Sequence, residues 1–405
     1  MEKFTGLIGI FTLLGIAVLL SNNRKKINLR TVFSGLALQF ILAFFILGTS
    51  LGEPVFRALD NAITTLVSFS DAGSTFLFRS YISDTYHPSL ENFAFRTLPT
   101  IIFFSSLISV LYHFGIIQKI VKMFAKIFQK TMFISGTESL SVSGNIFLGQ
   151  TEAPLMVKPF VDKMTKSELM ALMTGGFATA AGGILAIYVS WLSDIPGIAG
   201  HLLTASVMSA PAALVMAKII YPEVEESNTM GDLNIEIEQT TTNAMEALGN
   251  GATTGLKLAA NIAAMLIAFL SFVAMINYLL LFLGTSMEAI FGFLFKPLAW
   301  TMGVPWSEAG VLGTLMGKKI VLTELIAYGD LQQIVAEGLI SERTTIIASY
   351  ALCGFANFGS IGIQLGGIGA IAPNRRGDLA RLVTKAMIGG ALASWLTATI
   401  AGLLL

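Results

Sequence analysis

One cysteine and three histidines in 405 residues leave almost no material for metal or redox chemistry. Cys353 has no second cysteine to pair with, and His87, His113 and His201 have no ligand-like spacing, so a disulfide framework and a zinc centre are both excluded. Charge is equally scarce. Charged residues make up 12% of the chain, about half the share of an average soluble domain. That removes the polar shell a water-soluble enzyme needs. The formal net charge is zero and no basic face stands out, so nothing could neutralise a run of phosphates, and nucleic acid is not a partner. What is abundant is apolar: 54% hydrophobic residues and a mean hydropathy of +0.74 exceed what one soluble core absorbs. The composition implies a membrane protein embedded in a lipid bilayer.

A spanning helix needs about 20 mostly apolar residues. Segments near 4–21, 31–50, 97–115, 168–190, 199–219, 257–283, 344–367 and 384–404 meet that length, which predicts about eight crossings. The first is too long for a signal-peptide core, and Ser21-Asn22-Asn23 is not a small-x-small cleavage site, so it is read as a helix. Lysines and arginines cluster at 24–30, 119–130, 158–166 and 375–385, on alternate loops. Placing them in the cytoplasm sets both termini outside the inner (plasma) membrane.

Two apolar stretches do not suit straight helices. The segments 132–160 and 305–330 carry polar residues and breakers in their middles: Gly149-Gln150-Thr151-Glu152-Ala153-Pro154 in one, Lys318-Lys319 and Thr323-Glu324 in the other. Both are read as re-entrant hairpins, since non-helical backbone at membrane depth survives only where protein buries it or it lines a wet cavity. Apolar residues at helical spacing with lysines between them predict an interfacial helix over 116–130. The acidic, Thr- and Asn-rich stretch 222–248 reads as a mobile cytoplasmic loop.

The two hairpins belong to a repeat. Thr151-Glu152 is followed by Gly176-Phe177-Ala178-Thr179 and Gly182-Gly183, and Thr323-Glu324 by Gly354-Phe355-Ala356-Asn357 and Gly359-Ser360, at offsets of 172 and 178 residues. A hairpin, an interrupted helix and a straight helix return the chain to its starting side. The helix near 257–283 then starts the second copy from the opposite face, which inverts it. The chain therefore divides into scaffold helices with a periplasmic segment (1–115), a first transport repeat (116–219), a loop and scaffold helix (220–285) and a second transport repeat (286–405). The fold class is an all-α polytopic membrane protein with two re-entrant hairpins and an inverted repeat, an organisation used by secondary transporters that bind solute where the repeats meet.

Glu152 and Glu324 are the sharpest features. A carboxylate at mid-membrane depth costs several kcal/mol and is a functional-site hypothesis by default. The alternative for Glu324 is simple neutralisation by Lys318 or Lys319. Gln150, Thr151, Asn357 and Ser360 add donors and acceptors and Phe355 a flat apolar face, a set suited to a neutral, hydroxyl-rich ligand with a planar part.

The stretches Gly144-Asn145-Ile146-Phe147-Leu148-Gly149-Gln150-Thr151-Glu152-Ala153-Pro154-Leu155 and Ala351-Leu352-Cys353-Gly354-Phe355-Ala356-Asn357 resemble concentrative nucleoside transporters. So do Phe95-Arg96-Thr97-Leu98-Pro99-Thr100 and Ala372-Pro373-Asn374-Arg375-Arg376-Gly377-Asp378, so that the resemblance covers nearly the whole chain. It implies a homotrimer of scaffold and mobile transport parts, with one nucleoside per protomer between hairpin tips and interrupted helices. It also implies that Gln150, Thr151 and Glu152 hold the base, with apolar contact from Ile184 and Phe355, while Glu324, Asn357 and Ser360 hold the ribose. Sodium is implied at the side chains of Asn145 and Thr179 and the main-chain carbonyls of Leu148 and Ala180, an oxygen-only set suited to a hard cation.

Two departures from the family pattern bear on this. Many relatives have Asn-Glu where this chain has Thr323-Glu324, which leaves the hydrogen bond beside the ribose carboxylate, and fine specificity, open. Threonine at 179 in place of the serine common there keeps the hydroxyl. Proton-driven relatives lack the asparagine matched by Asn145, which favours sodium and leaves H+ as the alternative coupling ion. Transport of another neutral solute is opposed only by the family motifs. A membrane-embedded enzyme using the carboxylates as acid and base has no supporting motif, and re-entrant hairpins carrying a full ligand set suit capture better than a channel's rapid passage.

Overall fold

The computed structural model describes residues 2–80, 98–231 and 241–405, together with His87, Leu90, Ala94 and Phe95. Arg96 and Thr97 of the third motif and residues 232–240 of the acidic stretch lie outside these described residues. Among the described residues the secondary structure is helical, with no strand and only isolated bridge residues, Ser135 paired with Met230 among them.

The first three helices are α1 (Glu2–Leu19), α2 (Leu29–Gly48) and α3 (Gly52–Phe78). Helix α4 (Leu98–His113) meets α5 (Ile116–Met132) at a 77° bend, made where Gly115 takes a left-handed φ of 72°. The next group is α6 (Gly136–Gly144), a 3-10 turn at Ala153–Val157, α7 (Lys158–Val161), α8 (Lys166–Ala178), α9 (Gly182–Trp191) and α10 (Ile198–Ile220). Helix α11 (Ala244–Leu281) leads to α12 (Met287–Thr301), α13 (Ala309–Val321), α14 (Glu324–Ala336), α15 (Glu342–Leu352), α16 (Phe358–Ile371) and α17 (Arg376–Leu404).

Two runs of elements match in order: α5, the α6–α7 segment, α8 with α9, and α10 answer to α12, α13 with α14, α15 with α16, and α17. The sequence reading had no counterpart of α5 in the second run; α12 supplies it. The two helices are interrupted as expected, but ahead of the glycines expected to do it: the breaks follow Ala178 and Leu352, Gly182 and Gly183 open α9, Gly359 lies in the first turn of α16, and Gly354 supplies the unusual backbone of the second break. Among the described residues five helical spans are long and apolar enough to cross a membrane: α2, α8 with α9, α10, α11 and Pro373–Leu404. The bent α4–α5 pair adds a sixth, while the proposed crossings at 4–21 and 344–367 contain only shorter apolar helices, Thr5–Leu19 and α16.

Helices α8, α10 and α17 are buried along nearly their whole length and form the core. By contrast α2, α11 and α12 turn large apolar side chains outward, Phe33, Phe44, Phe272 and Phe293 among them. A surface of that kind matches lipid or a partner subunit rather than water.

Three expectations need correction. Helix α3 escaped notice because Glu53, Arg57, Asp60 and Asp71 interrupt its apolar run, an amphipathic pattern below the spanning threshold. It docks through Asp60, whose Oδ1 accepts from Gly200 N at 2.9 Å, and through Phe56, whose ring meets His201 edge-on at 4.9 Å. Helix α11 begins at Ala244 rather than near 257, and its added turns pack on α4: a Cβ on Gly251 or Gly255 would come within 2.6–2.7 Å of backbone at Ser106 or Ile102. Small residues four apart allow that close crossing. Finally, 222–231 is not a free loop. Ser227 Oγ donates to Glu168 Oε1 at 2.6 Å, and Gly136 N to Thr229 O at 2.9 Å. The segment covers a polar base where Lys218 pairs with Glu138 and donates to Ser167 Oγ at 2.8 Å.

Candidate functional site

Both interrupted helices owe their breaks to sequence. Gly354 has φ 102°, and a side chain there would strike the carbonyl of Ala178, so the two breaks cross with backbone against backbone. Asn357 then starts α16 as its N-cap, Oδ1 accepting from Ser360 N at 2.8 Å. Thr323 starts α14 in the same way, Oγ1 accepting from Ile326 N at 3.3 Å. The threonine thus does the capping that an asparagine would do, and it also lines the cavity beside Glu324.

Capping by Thr323 makes Glu324 the first residue of α14, where the helix dipole favours a negative charge. Its carboxylate is buried and accepts from Tyr188 Oη at 2.8 Å and from Asn357 Nδ2 at 2.9 Å. The lysine alternative fails. Lys318 Nζ donates to Asp330 Oδ2 at 2.6 Å and lies 3.3 Å from Glu288. Lys319, fully buried, spends its three donors on Ala351 O (2.9 Å), Cys353 O (3.0 Å) and Ser394 Oγ (2.7 Å). Neither lysine bonds the Glu324 carboxylate, whose hydrogen-bond partners are Tyr188 and Asn357.

At the first tip the backbone N–H of Gly149 donates to the Glu152 carboxylate, folding it over its own loop. A Cβ on Gly149 would occupy that carboxylate's place. Gln150 is buried and reaches the other run of helices: its Nε2 donates to Ser360 Oγ at 3.2 Å.

These side chains converge. Gln150, Thr151, Glu152, Ile184, Glu324, Phe355, Asn357 and Ser360, all eight anticipated ligand residues, line one cavity of about 170 Å³. Helix α11 adds a wall, through Leu258, Asn261, Ile262, Leu266 and Phe269, which the sequence reading did not assign to the site. Asn261, a polar residue inside an apolar run, was the available signal. Tyr188 was also missed; it sits in an apolar stretch of α9 and only the packing aims its hydroxyl at Glu324. A larger cavity of about 620 Å³ adjoins the first across Gly149, Glu152, Ala181 and Leu258.

The cation set was tested by what its atoms lack. Asn145 Nδ2 donates to Ser141 O at 3.1 Å, but its Oδ1 is buried with no donor. Thr179 Oγ1 donates to Gly175 O at 3.0 Å, which leaves its lone pairs open. Among the described residues no hydrogen bond ends on the carbonyl of Leu148 or Ala180. Buried oxygens without donors suit a hard cation.

A polytopic helical protein with two matching runs of elements, crossed helix breaks and a cavity between them that carries two carboxylates is a membrane transporter in design. The family descriptions agree. Residues 8–81 match the N-terminal part of the Na+ dependent nucleoside transporters, 201–402 match its C-terminal part, and 94–194 match a nucleoside recognition (Gate) region. The chain is 41% identical to an uncharacterized transporter of Haemophilus influenzae over 100% of this chain and 98% of that one. It is 40% identical to the sodium/nucleoside cotransporter 1 of Rattus norvegicus, of which it spans 64% of the length. The solved structure of CNTnw in an inward-facing, substrate-bound state superposes with a TM-score of 0.91 at 39% identity, covering 100% of this chain and 98% of that one. The chain belongs to the concentrative nucleoside transporter family, and it is a transporter rather than an enzyme.

Proposed function

We propose that this protein imports nucleosides by symport with sodium. The observation that carries the reading is the single cavity that collects carboxylates, amides and hydroxyls from both hairpin tips and both interrupted helices. Base recognition falls to Gln150, Thr151 and Glu152 with Ile184 and Phe355 as apolar faces; the ribose hydroxyls donate to Glu324 and pair with Asn357 and Ser360. Tyr188 and Asn357 hold the Glu324 carboxylate in place for those hydroxyls. Sodium binds at Asn145 Oδ1, Thr179 Oγ1 and the Leu148 and Ala180 carbonyls, which the orphaned Asn145 oxygen supports. Because Phe147 O accepts from Gly182 N at 3.1 Å, the ion site and the tip are tied to the same break. An ion bound there steadies the tip that holds the base, and by linkage nucleoside tightens sodium in return.

In the membrane, the two runs act as inverted repeats carrying re-entrant hairpins, with residues 116–219 and 286–405 as the moving part. Residues 1–115 and 220–285 form the scaffold, three protomers assemble, about eight crossings are made and both termini face outside the inner membrane. The larger cavity beside Glu152 is the aqueous approach to the site on one side.

Proteoliposomes given an inward sodium gradient and, separately, a pH gradient test this directly. Labelled uridine and adenosine are expected to accumulate with sodium at constant pH. Uptake in sodium-free choline medium that follows pH alone would reassign the coupling to protons, and competition by uracil or ribose as strong as by uridine would reassign the substrate.

A further inference from the structure

Gln364 lies on α16 one turn beyond Ser360, fully buried and behind the cavity wall. Its Nε2 donates both to Met173 O of α8 at 3.1 Å and to Gln150 Oε1 at 3.2 Å. A main-chain carbonyl can only accept, so the Met173 contact decides which end of the Gln364 amide is nitrogen. The same nitrogen then faces Gln150, which settles that amide too: its oxygen is turned back into the protein and its nitrogen towards Ser360. Gly176 makes the arrangement fit, since a Cβ there would lie 2.7 Å from Gln364 Nε2 and 3.1 Å from Gln150 Cβ. The Gly176-Phe177-Ala178 motif is thereby connected to substrate recognition and not only to the helix break.

We infer that Gln364 is a positioning residue that sets the hydrogen-bond polarity of Gln150, so that the Gln150 amide offers the bound base an N–H donor. Bases that present an acceptor there, a carbonyl oxygen or an unprotonated ring nitrogen, are the ones favoured. The inference rests on the nucleoside reading above and adds which half of the amide meets the base. Sequence alone leaves this open because a glutamine amide is donor at one end and acceptor at the other; the Met173 carbonyl, at the end of a chain of two amides, removes the ambiguity.

The test is a double-mutant cycle on the purified full-length protein in saturating sodium, reading uridine affinity for wild type, Q364L, Q150A and the double variant. Q364L is expected to weaken uridine about tenfold, the scale of one hydrogen bond in a buried site. In the Gln150→Ala background the same change is expected to cost less than about twofold, because Gln364 acts through Gln150. Equal losses in the two backgrounds, or none in either, overturn the inference. Should Q364L not fold, the isosteric Q364E replaces it in the same cycle with the same expectation, since a carboxylate cannot donate to Met173 O or Gln150 Oε1. Q364E adds a selectivity readout that a merely structural role would not move. Wild type is expected to bind one member of a uridine series lacking O2 or O4 about tenfold more weakly than uridine, a ratio that should collapse in Q364E; a ratio that stays put overturns the inference. Wild-type protein that binds no nucleoside would overturn the nucleoside reading itself, whereas wild type that binds uridine beside an unaffected Q364L overturns this inference alone.

Discussion

The two helix breaks face the same physical problem and solve it differently. Breaking a helix frees carbonyls that must find a donor or a cation. In the second run the carbonyls of Ala351 and Cys353 are closed by Lys319, a buried side chain that uses all three of its donors there and on Ser394. In the first run no lysine arrives: the Ala180 carbonyl receives no hydrogen bond among the described residues, and Asn145 Oδ1 is buried without a donor. One break carries its own permanent cation, and the other leaves oxygens that a mobile cation can fill. The tips differ in a parallel way. Glu324 is buried and held by Tyr188 and Asn357, while Glu152 is exposed to the cavities and held only by its own loop. The second run closes its polar groups with its own side chains, and the first leaves buried oxygens without protein donors.

Lys319→Met puts the greatest strain on that comparison. It leaves two carbonyls without their lysine donor in the core, each costing about 1–3 kcal/mol, and takes one donor from Ser394 Oγ, which still bonds Ala391 O, so a large loss of thermal stability or of assembly is expected in detergent melting. A variant that melts like wild type would mean that the second break does not need its lysine.

Glu324→Gln comes next. An amide cannot accept from both Tyr188 and Asn357 in the way a carboxylate does, so uridine affinity should fall by about one to two decades while the protein still assembles. Tyr188→Phe keeps the ring packed against Tyr328, 4.2 Å between centroids, and removes only the hydroxyl. About a tenfold loss is expected, with fold unchanged by melting temperature. If it binds uridine like wild type, the Tyr188 bond is incidental to the site.

Asn145→Ala aims at the first run. The sodium concentration for half-maximal uptake should rise several-fold or more, with only a small drop in melting temperature in sodium-free buffer, because Oδ1 has no protein donor and the one bond lost is that of Nδ2 to Ser141 O. An unchanged sodium dependence would place the ion elsewhere. Glu152→Gln should cost less than Glu324→Gln, about three- to tenfold in uridine affinity, since the amide can still accept from Gly149 and water reaches the group. Equal losses at the two tips would erase the distinction between them. The smallest effect, under about twofold, is expected of Thr323→Asn, for both residues cap α14; a large change would show that residue 323 touches substrate.

Ser360→Ala is less separable than a division of labour between the two runs would suggest. Ser360 Oγ accepts from Gln150, so removing it loosens the base contact as well as the sugar contact.

The sequence by itself determined the membrane setting, the two polar tips, the two interrupted helices and the eight polar and apolar residues that line one cavity. Each of those is a local departure from a strongly apolar background: a carboxylate, a glycine pair or an amide where lipid-facing or core residues are the rule. Composition and period also placed most helices, because burial in lipid demands long unbroken apolar runs. Where a helix mixes charge with apolar residues, as α3 does, or takes polar first turns, as α11 does before residue 257, that demand is relaxed and the pattern says less. Only the tertiary structure decided which partners the buried polar groups take. Tyr188 with Glu324, Lys319 with the second break, Gln364 with Gln150 and the wall from α11 all join residues far apart in the chain. A hydrogen bond depends on a few tenths of an ångström and on which end of an amide faces its neighbour, and residue order encodes neither until the helices have packed.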